Sequence, residues 1–193
     1  MTQRPLRVLI VDDNPDDRSE ARAALIEGSS QRYEFIEGQL ADDAVRLAAQ
    51  APLPDCILLD FDLPDGTALD VLARLPRSAG NLIEVPVVIL TGANGGLGIN
   101  QKVLQAGAQD YLGKSWMGPE SLTRAVENAV QRHAMARDLF RSTARRLLTA
   151  ECAQAALGSS ERALEALFER VGSAVGADIV FNYSLEQRAG EPG

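Results

Sequence analysis

Ile57-Leu58-Leu59-Asp60-Phe61-Asp62-Leu63-Pro64-Asp65-Gly66 is the stretch on which the fold turns. Its apolar opening reads as a buried strand, and the run stops abruptly at a carboxylate. Pro64-Asp65-Gly66 then turns the chain, and a helical pattern follows. Open α/β sheets place their chemistry where a charge stands at the end of a buried strand, so Asp60 is the first candidate.

Moving outward, the same strand-then-helix grammar repeats. Leu6 to Val11 is a β-branched apolar run that ends in Asp12-Asp13. Asn14-Pro15 opens a helix, with Asp16-Asp17 as charges of its first turn, running to Gly28. Tyr33 to Ile36 reads as a weaker strand, and Asp42 to Gln50 as a helix that Pro52 and Pro54 end. Cys56 to Leu59 is the third strand and Gly66 to about Leu75 the third helix. Val87 to Leu90 is the fourth strand, ending at Thr91-Gly92. A helix over Ile99 to Ala106 follows, then a short strand Asp110 to Leu112 ending near Lys114. Alternating elements of this kind predict an α/β fold, a doubly wound, flavodoxin-like five-stranded parallel sheet of order 2-1-3-4-5.

The fifth helix, opened by Pro119-Glu120, has no Pro or Gly as far as Ala156. That is roughly three times the mean globular helix. Val126, Ala129, His133, Ala136, Phe140, Thr143, Leu147, Ala150, Gln154 and Leu157 mark a heptad seam, with several small or polar members. A homodimer contact and packing on a neighbouring domain are both open readings of it. Beyond Gly158 the sequence predicts one amphipathic helix and one strand, Asp178 to Tyr183. These cannot bury their own apolar faces, so a domain whose remainder is absent is expected.

Composition sets outer limits. The 193 residues carry a net charge of -8, a pI near 4.7 and 46% hydrophobic residues. Such a chain can bury a core, and its acidity argues against a nucleic-acid surface. No signal peptide or membrane span is read, and Cys56 and Cys152 are expected as reduced thiols, which together point to the cytoplasm.

The strand ends assemble a chemistry. In a 2-1-3-4-5 sheet, strands one and three lie side by side where the order reverses, bringing Asp12, Asp13 and Asp60 into one crevice. Crowded carboxylates repel unless a cation is present, and an all-oxygen set with open positions suits Mg²⁺. Thr91 and Lys114 follow at the next strand ends, a hydroxyl and an ammonium fit for phosphoryl oxygens. A carboxylate in that company can attack phosphorus and form an aspartyl-phosphate.

Residues 6 to about 135 resemble the receiver domain of two-component response regulators. The resemblance rests on Val8-Leu9-Ile10-Val11-Asp12-Asp13, Leu58-Leu59-Asp60, Leu63-Pro64-Asp65-Gly66, Ile89-Leu90-Thr91-Gly92 and Ala106-Gly107-Ala108-Gln109-Asp110-Tyr111-Leu112-Gly113-Lys114. It implies that Asp60 takes a phosphoryl group from a histidine kinase or a histidine phosphotransfer protein. It implies Mg²⁺ on Asp13, Asp60 and the backbone carbonyl of Asp62, with Asp12 reached through water. Thr91 and Lys114 would hold the phosphoryl group, and Tyr111 would be an aromatic switch that turns inward on activation. The implied protein is no enzyme beyond its own phosphorylation and dephosphorylation. On this reading the chain divides into a receiver domain at 5–135, a signalling helix at 136–158 and a fragment at 159–193 resembling the start of a GAF domain.

Two features depart from the expected pattern. Asp62, two residues past the acceptor, is acidic and stands where it can affect phosphate lifetime. Asn94-Gly95-Gly96-Leu97-Gly98 is glycine-rich for a loop that moves on activation.

Other readings fit less of the chain. Thr91 to Gly98 matches the TGxxxGxG cradle of short-chain dehydrogenases, but follows the fourth strand rather than the first. Asp60-Phe61-Asp62 resembles the nucleophile pair of haloacid-dehalogenase-type phosphatases, yet Pro64 stands where Thr or Val is usual. His133, the single histidine, lacks a phosphodonor setting and is expected as a partly buried helix residue. No basic helix-turn-helix follows the receiver-like segment. A fragment of a hybrid sensor kinase or cyclic-dinucleotide enzyme, and a stand-alone phosphoacceptor, both remain open.

Overall fold

Odd and even positions of the central strands go to opposite faces, and this builds two hydrophobic layers. The computed structural model of the chain describes residues 4–78, 80–92 and 97–157. β1 (Leu6–Val11), α1 (Pro15–Gly28), β2 (Tyr33–Gly38), α2 (Ala41–Ala48) and β3 (Cys56–Asp60) come first. A two-strand hairpin, β4 (Asp62–Leu63) and β5 (Gly66–Thr67), leads into α3 (Ala68–Arg74). Then come β6 (Val87–Thr91), α4 (Leu97–Gln105), β7 (Asp110–Gly113), a 3-10 turn at Lys114–Trp116, and α5 (Pro119–Leu157). Five parallel strands form one sheet in the order β2-β1-β3-β6-β7. Counting only this sheet, that is the expected 2-1-3-4-5.

Leu9, Val11, Ile57, Leu59, Val87 and Ile89 pack with α2, α3 and Val103 on one face. Val8, Ile10, Cys56, Leu58, Val88 and Leu90 meet α1 and α5 on the other. All twelve are at most 1% exposed, so the continuous apolar runs are explained by burial on both sides.

The helix starts show local chemistry at work. Asn14 caps α1, its side-chain oxygen accepting from the Asp16 N–H at 3.0 Å. Asp43 reaches back to the N–H groups of Gln39 and Leu40 at 3.1 and 3.3 Å. Asp65, at the tip of the β4–β5 hairpin, accepts from the N–H groups of Ala41 and Asp42 at 2.6 and 3.1 Å. The acidic turn after Asp60 therefore caps α2 from across the fold, and those hydrogen bonds hold its carboxyl below the usual range.

Several expectations need correcting. The third helix starts at Ala68 rather than Gly66, because Gly66 and Thr67 pair back onto Leu63 and Asp62. Thr67 is its cap, and Asp70 returns to the Thr67 N–H at 2.8 Å. His133 is not partly buried but 4% exposed, with Nε2 2.7 Å from the Ile83 carbonyl. The heptad seam fails at its start: Val126, Ala129 and His133 are buried against this chain's own domain and are closed to a partner.

The chain divides into two compact units, Met1–Arg141 and Ser142–Gly193. The helix and strand expected over 159–193, and the glycine-rich stretch 94–96, lie outside the described residues. Among the described residues no helix is long and apolar enough to cross a membrane.

Candidate functional site

Parallel strands that start together also end together, and their register sets the site. Val11 pairs with Leu59, so Asp12 leaves β1 level with Asp60 at the end of β3. Asp60 pairs with Leu90, and Thr91 pairs with Gly113, immediately before Lys114. Four strand ends thus deliver their polar residues to one rim.

One carboxylate oxygen from each of Asp12, Asp13 and Asp60 falls within a 4.8 Å cluster. Asp12 and Asp60 are buried, at 1% and 6% exposure, whereas Asp13 is exposed. The Lys114 ammonium enters this group, 2.7 Å from Asp12 Oδ2 and 3.1 Å from Asp60 Oδ1. Burial pushes the Asp60 carboxyl up to about 6, with the charge of Asp12 adding to the effect and that of Lys114 opposing it. Above that pH Asp60 is an anionic, poorly solvated carboxylate. Burial works against the charge on Lys114, but Asp12, Asp17 and Asp60 override it and raise its pKa.

Thr91 is buried at the end of β6, on the same rim. Tyr111 stands apart from the carboxylates, 37% exposed on β7. Asp62 is exposed in the β4 strand of the hairpin.

The sequence reading missed two residues. Arg18 is buried and donates to the Asp12 carbonyl at 2.7 Å and to the Asp13 carbonyl at 3.4 Å. Its other edge meets Glu37 at 2.9 Å, so it ties the acidic loop to β2. Asp17, read as a helix-start charge, is one in the first turn of α1 and also accepts from Lys114 Nζ at 2.7 Å. One helical turn from Asn14, it sits on the face of α1 turned toward the rim, a placement that the i, i+3 spacing from the cap anticipates.

A metal fits this donor set on one observation in particular. Asp12 Oδ2 is buried and has no aligned hydrogen-bond donor, although Lys114 lies within ion-pair distance. With the oxygens of Asp13 and Asp60 beside it, the arrangement matches a hard divalent cation that retains several waters.

Residues 8–127 match the response regulator receiver domain family model, and the chain belongs to that family. The transcriptional regulatory protein KdpE of Mycobacterium tuberculosis is 34% identical over 132 residues, covering 68% of this chain and 54% of the relative. The phosphate regulon transcriptional regulatory protein PhoB of Klebsiella pneumoniae is 32% identical over 126 residues, covering 65% and 52%. The chain thus spans about half the length of the curated relatives it matches. A response regulator receiver domain protein from Clostridium thermocellum superposes with a TM-score of 0.57 at 20% identity, over 68% of this chain and 98% of that one. The signal receiver domain of an HD domain-containing protein from Pseudomonas fluorescens gives 0.58 at 20%, over 72% and 96%. Both structures share the fold.

Proposed function

We propose that this chain is a phosphorelay receiver in which Asp60 accepts a phosphoryl group from the phosphohistidine of a kinase or phosphotransfer protein. The observation that carries the reading is the buried Asp60 carboxylate held between Asp12 and the Lys114 ammonium at 3.1 Å. An Asp60 oxygen forms a bond to phosphorus as the donor's P–N bond breaks, and the released imidazole nitrogen takes a proton from solvent. Lys114 offsets charge on the transferred group, and the Thr91 hydroxyl is available to its oxygens. Asp12, Asp13, Asp60 and the Asp62 carbonyl would hold Mg²⁺, which when bound supplies Lewis-acid neutralisation of the phosphoryl oxygens. Tyr111 is exposed, and as the switch residue it would turn inward on phosphorylation.

The output reading is a homodimer built through α5. Its support is apolar surface on that helix, with Met135 60%, Leu139 70% and Leu147 61% exposed. Because Val126, Ala129 and His133 are occupied internally, the contact surface begins after them. A cytoplasmic setting without nucleic acid or membrane fits the acidity of the chain.

The test is incubation of the full chain with acetyl phosphate and Mg²⁺, followed by intact-mass analysis. One phosphoryl group per chain is expected, lost in Asp60→Asn and absent when the metal is chelated. A label that survives Asp60→Asn removes Asp60 as the acceptor.

A further inference from the structure

An ammonium has three N–H donors, and Lys114 faces three carboxylates. Two of them, Asp12 at 2.7 Å and Asp60 at 3.1 Å, are in the cation cluster. The third, Asp17 at 2.7 Å, is not a member of it. Asp17 belongs to the first turn of α1 and is fixed from its other side, where Oδ1 accepts from Asn14 Nδ2 at 2.9 Å. The capping residue of the helix therefore anchors a carboxylate that pulls on the site lysine. The lysine is closer to its two flanking carboxylates than to Asp60 Oδ1, and only Asp17 pulls it without also being a member of the cation cluster.

We infer that Asp17 is a positioning residue: it draws the Lys114 ammonium back from Asp60, so that Asp60 Oδ1 is open to phosphorus, and it shares the ammonium with Asp12, so that less of the lysine's charge opposes a divalent cation there. With Asp17 neutral, the same ammonium has two anionic partners instead of three, closes on Asp60 and gives Asp12 a larger share of its charge. It then competes with the cation for Asp12 and shields the attacking oxygen of Asp60. Through the cycle the other two partners change, Asp60 by phosphorylation to an acyl phosphate and Asp12 by the cation's charge, while Asp17 stays available throughout. This rests on Asp60 being the acceptor only in its kinetic part, because cation binding involves no phosphoryl transfer.

The experiment compares the full-length protein with Asp17→Asn, Lys114→Met and the double variant. Asp17→Asn keeps an oxygen for the Asn14 amide and removes only the charge. Isothermal titration calorimetry reads Mg²⁺ binding by each variant directly. Asp17→Asn is expected to weaken Mg²⁺ binding about fivefold and to slow labelling by acetyl phosphate at saturating Mg²⁺ by a similar factor. In the Lys114→Met background the change in Mg²⁺ affinity is expected to shrink by at least half on a logarithmic scale, since Asp17 acts through the lysine. Asp17→Glu is expected to recover part of the loss. Unchanged or tighter Mg²⁺ binding in Asp17→Asn overturns the inference, as does an undiminished effect without the lysine. If Asp60→Asn retained its label, the acceptor reading would fail while the Mg²⁺ comparison still decided the role of Asp17.

Discussion

Replacing Asp60 by Asn should make the metal-free protein more stable, and the size of the gain can be worked from the site. An unperturbed aspartate titrates at 3.8, and burial beside Asp12 moves Asp60 to about 6. Its ionised form is thus disfavoured in the fold by about 3 kcal/mol, at 1.36 kcal/mol per tenfold change in affinity for the proton. The side chain is 9% exposed, so water screens little of this. The sign follows from proton uptake. Between pH 3.8 and 6 the folded chain binds more protons at this site than the unfolded chain, so stability falls as pH rises. Above 6 the whole penalty is present, and below 3.8 none of it. An Asn has the shape of the neutral acid and no charge to bury, while Lys114 keeps Asp12 and Asp17. Urea unfolding in EDTA should show Asp60→Asn more stable by up to about 3 kcal/mol at about pH 7.5, with the gain shrinking toward zero near about pH 4. Added Mg²⁺ should stabilise the native sequence and narrow the gap. A variant equal to or weaker than the native chain under the same neutral conditions would refute the claim that site carboxylates are held at the expense of the fold.

Three further outcomes follow from the packing. Gly28→Ala would drive a Cβ into the Pro119 carbonyl oxygen and the Thr123 hydroxyl, separating α1 from α5, and should cost at least about 1–3 kcal/mol in chemical denaturation. His133→Ala should cost about 1–3 kcal/mol at neutral pH, because the Ile83 carbonyl loses its 2.7 Å donor. Burial and Arg137 hold the His133 pKa below its ordinary 6.5, so acidification through that value protonates the unfolded chain first and lowers stability. The alanine variant should lose this acid-side slope. In sedimentation the full chain should be a dimer and a chain cut after Arg137 a monomer; a monomer at high concentration, phosphorylated or not, rejects α5 as the dimer element.

What could be read from residues alone follows from how each element is stabilised. β1, β3 and β6 were legible because strands buried on both faces need long apolar runs, and each runs into a polar residue, Asp12, Asp60 or Thr91. Asp12, Asp60 and Thr91 were legible for the same reason, as the first polar positions at the ends of buried strands, with Asp13 next to Asp12 and Lys114 closing the partly buried β7. α3 starts later than expected, although Thr67-x-x-Asp70 carries a capping signature, because Gly66 and Thr67 pair back onto Leu63 and Asp62. Tertiary partners left no such mark. Nothing local says that Asp65 caps α2, that Arg18 grips the Asp12 carbonyl, or that Lys114 reaches Asp17 across 97 positions. The segment after α3 is likewise shaped from outside: Arg77 bonds the carbonyls of Leu72, Asn81 and Ala106, and Asn81 takes φ of 60°. His133 then fastens Ile83 from α5. A heptad pattern cannot tell a seam facing a partner from one facing its own sheet, which is why Val126, Ala129 and His133 were misassigned.

Treating the acetyl-phosphate-labelled protein with borohydride converts an aspartyl-phosphate to homoserine, and peptide mass spectrometry locates the converted residue. Homoserine at position 60 and at no other aspartate, formed only with Mg²⁺ present, is the predicted result. Conversion at Asp12, Asp13 or Asp62 with Asp60 untouched would contradict it.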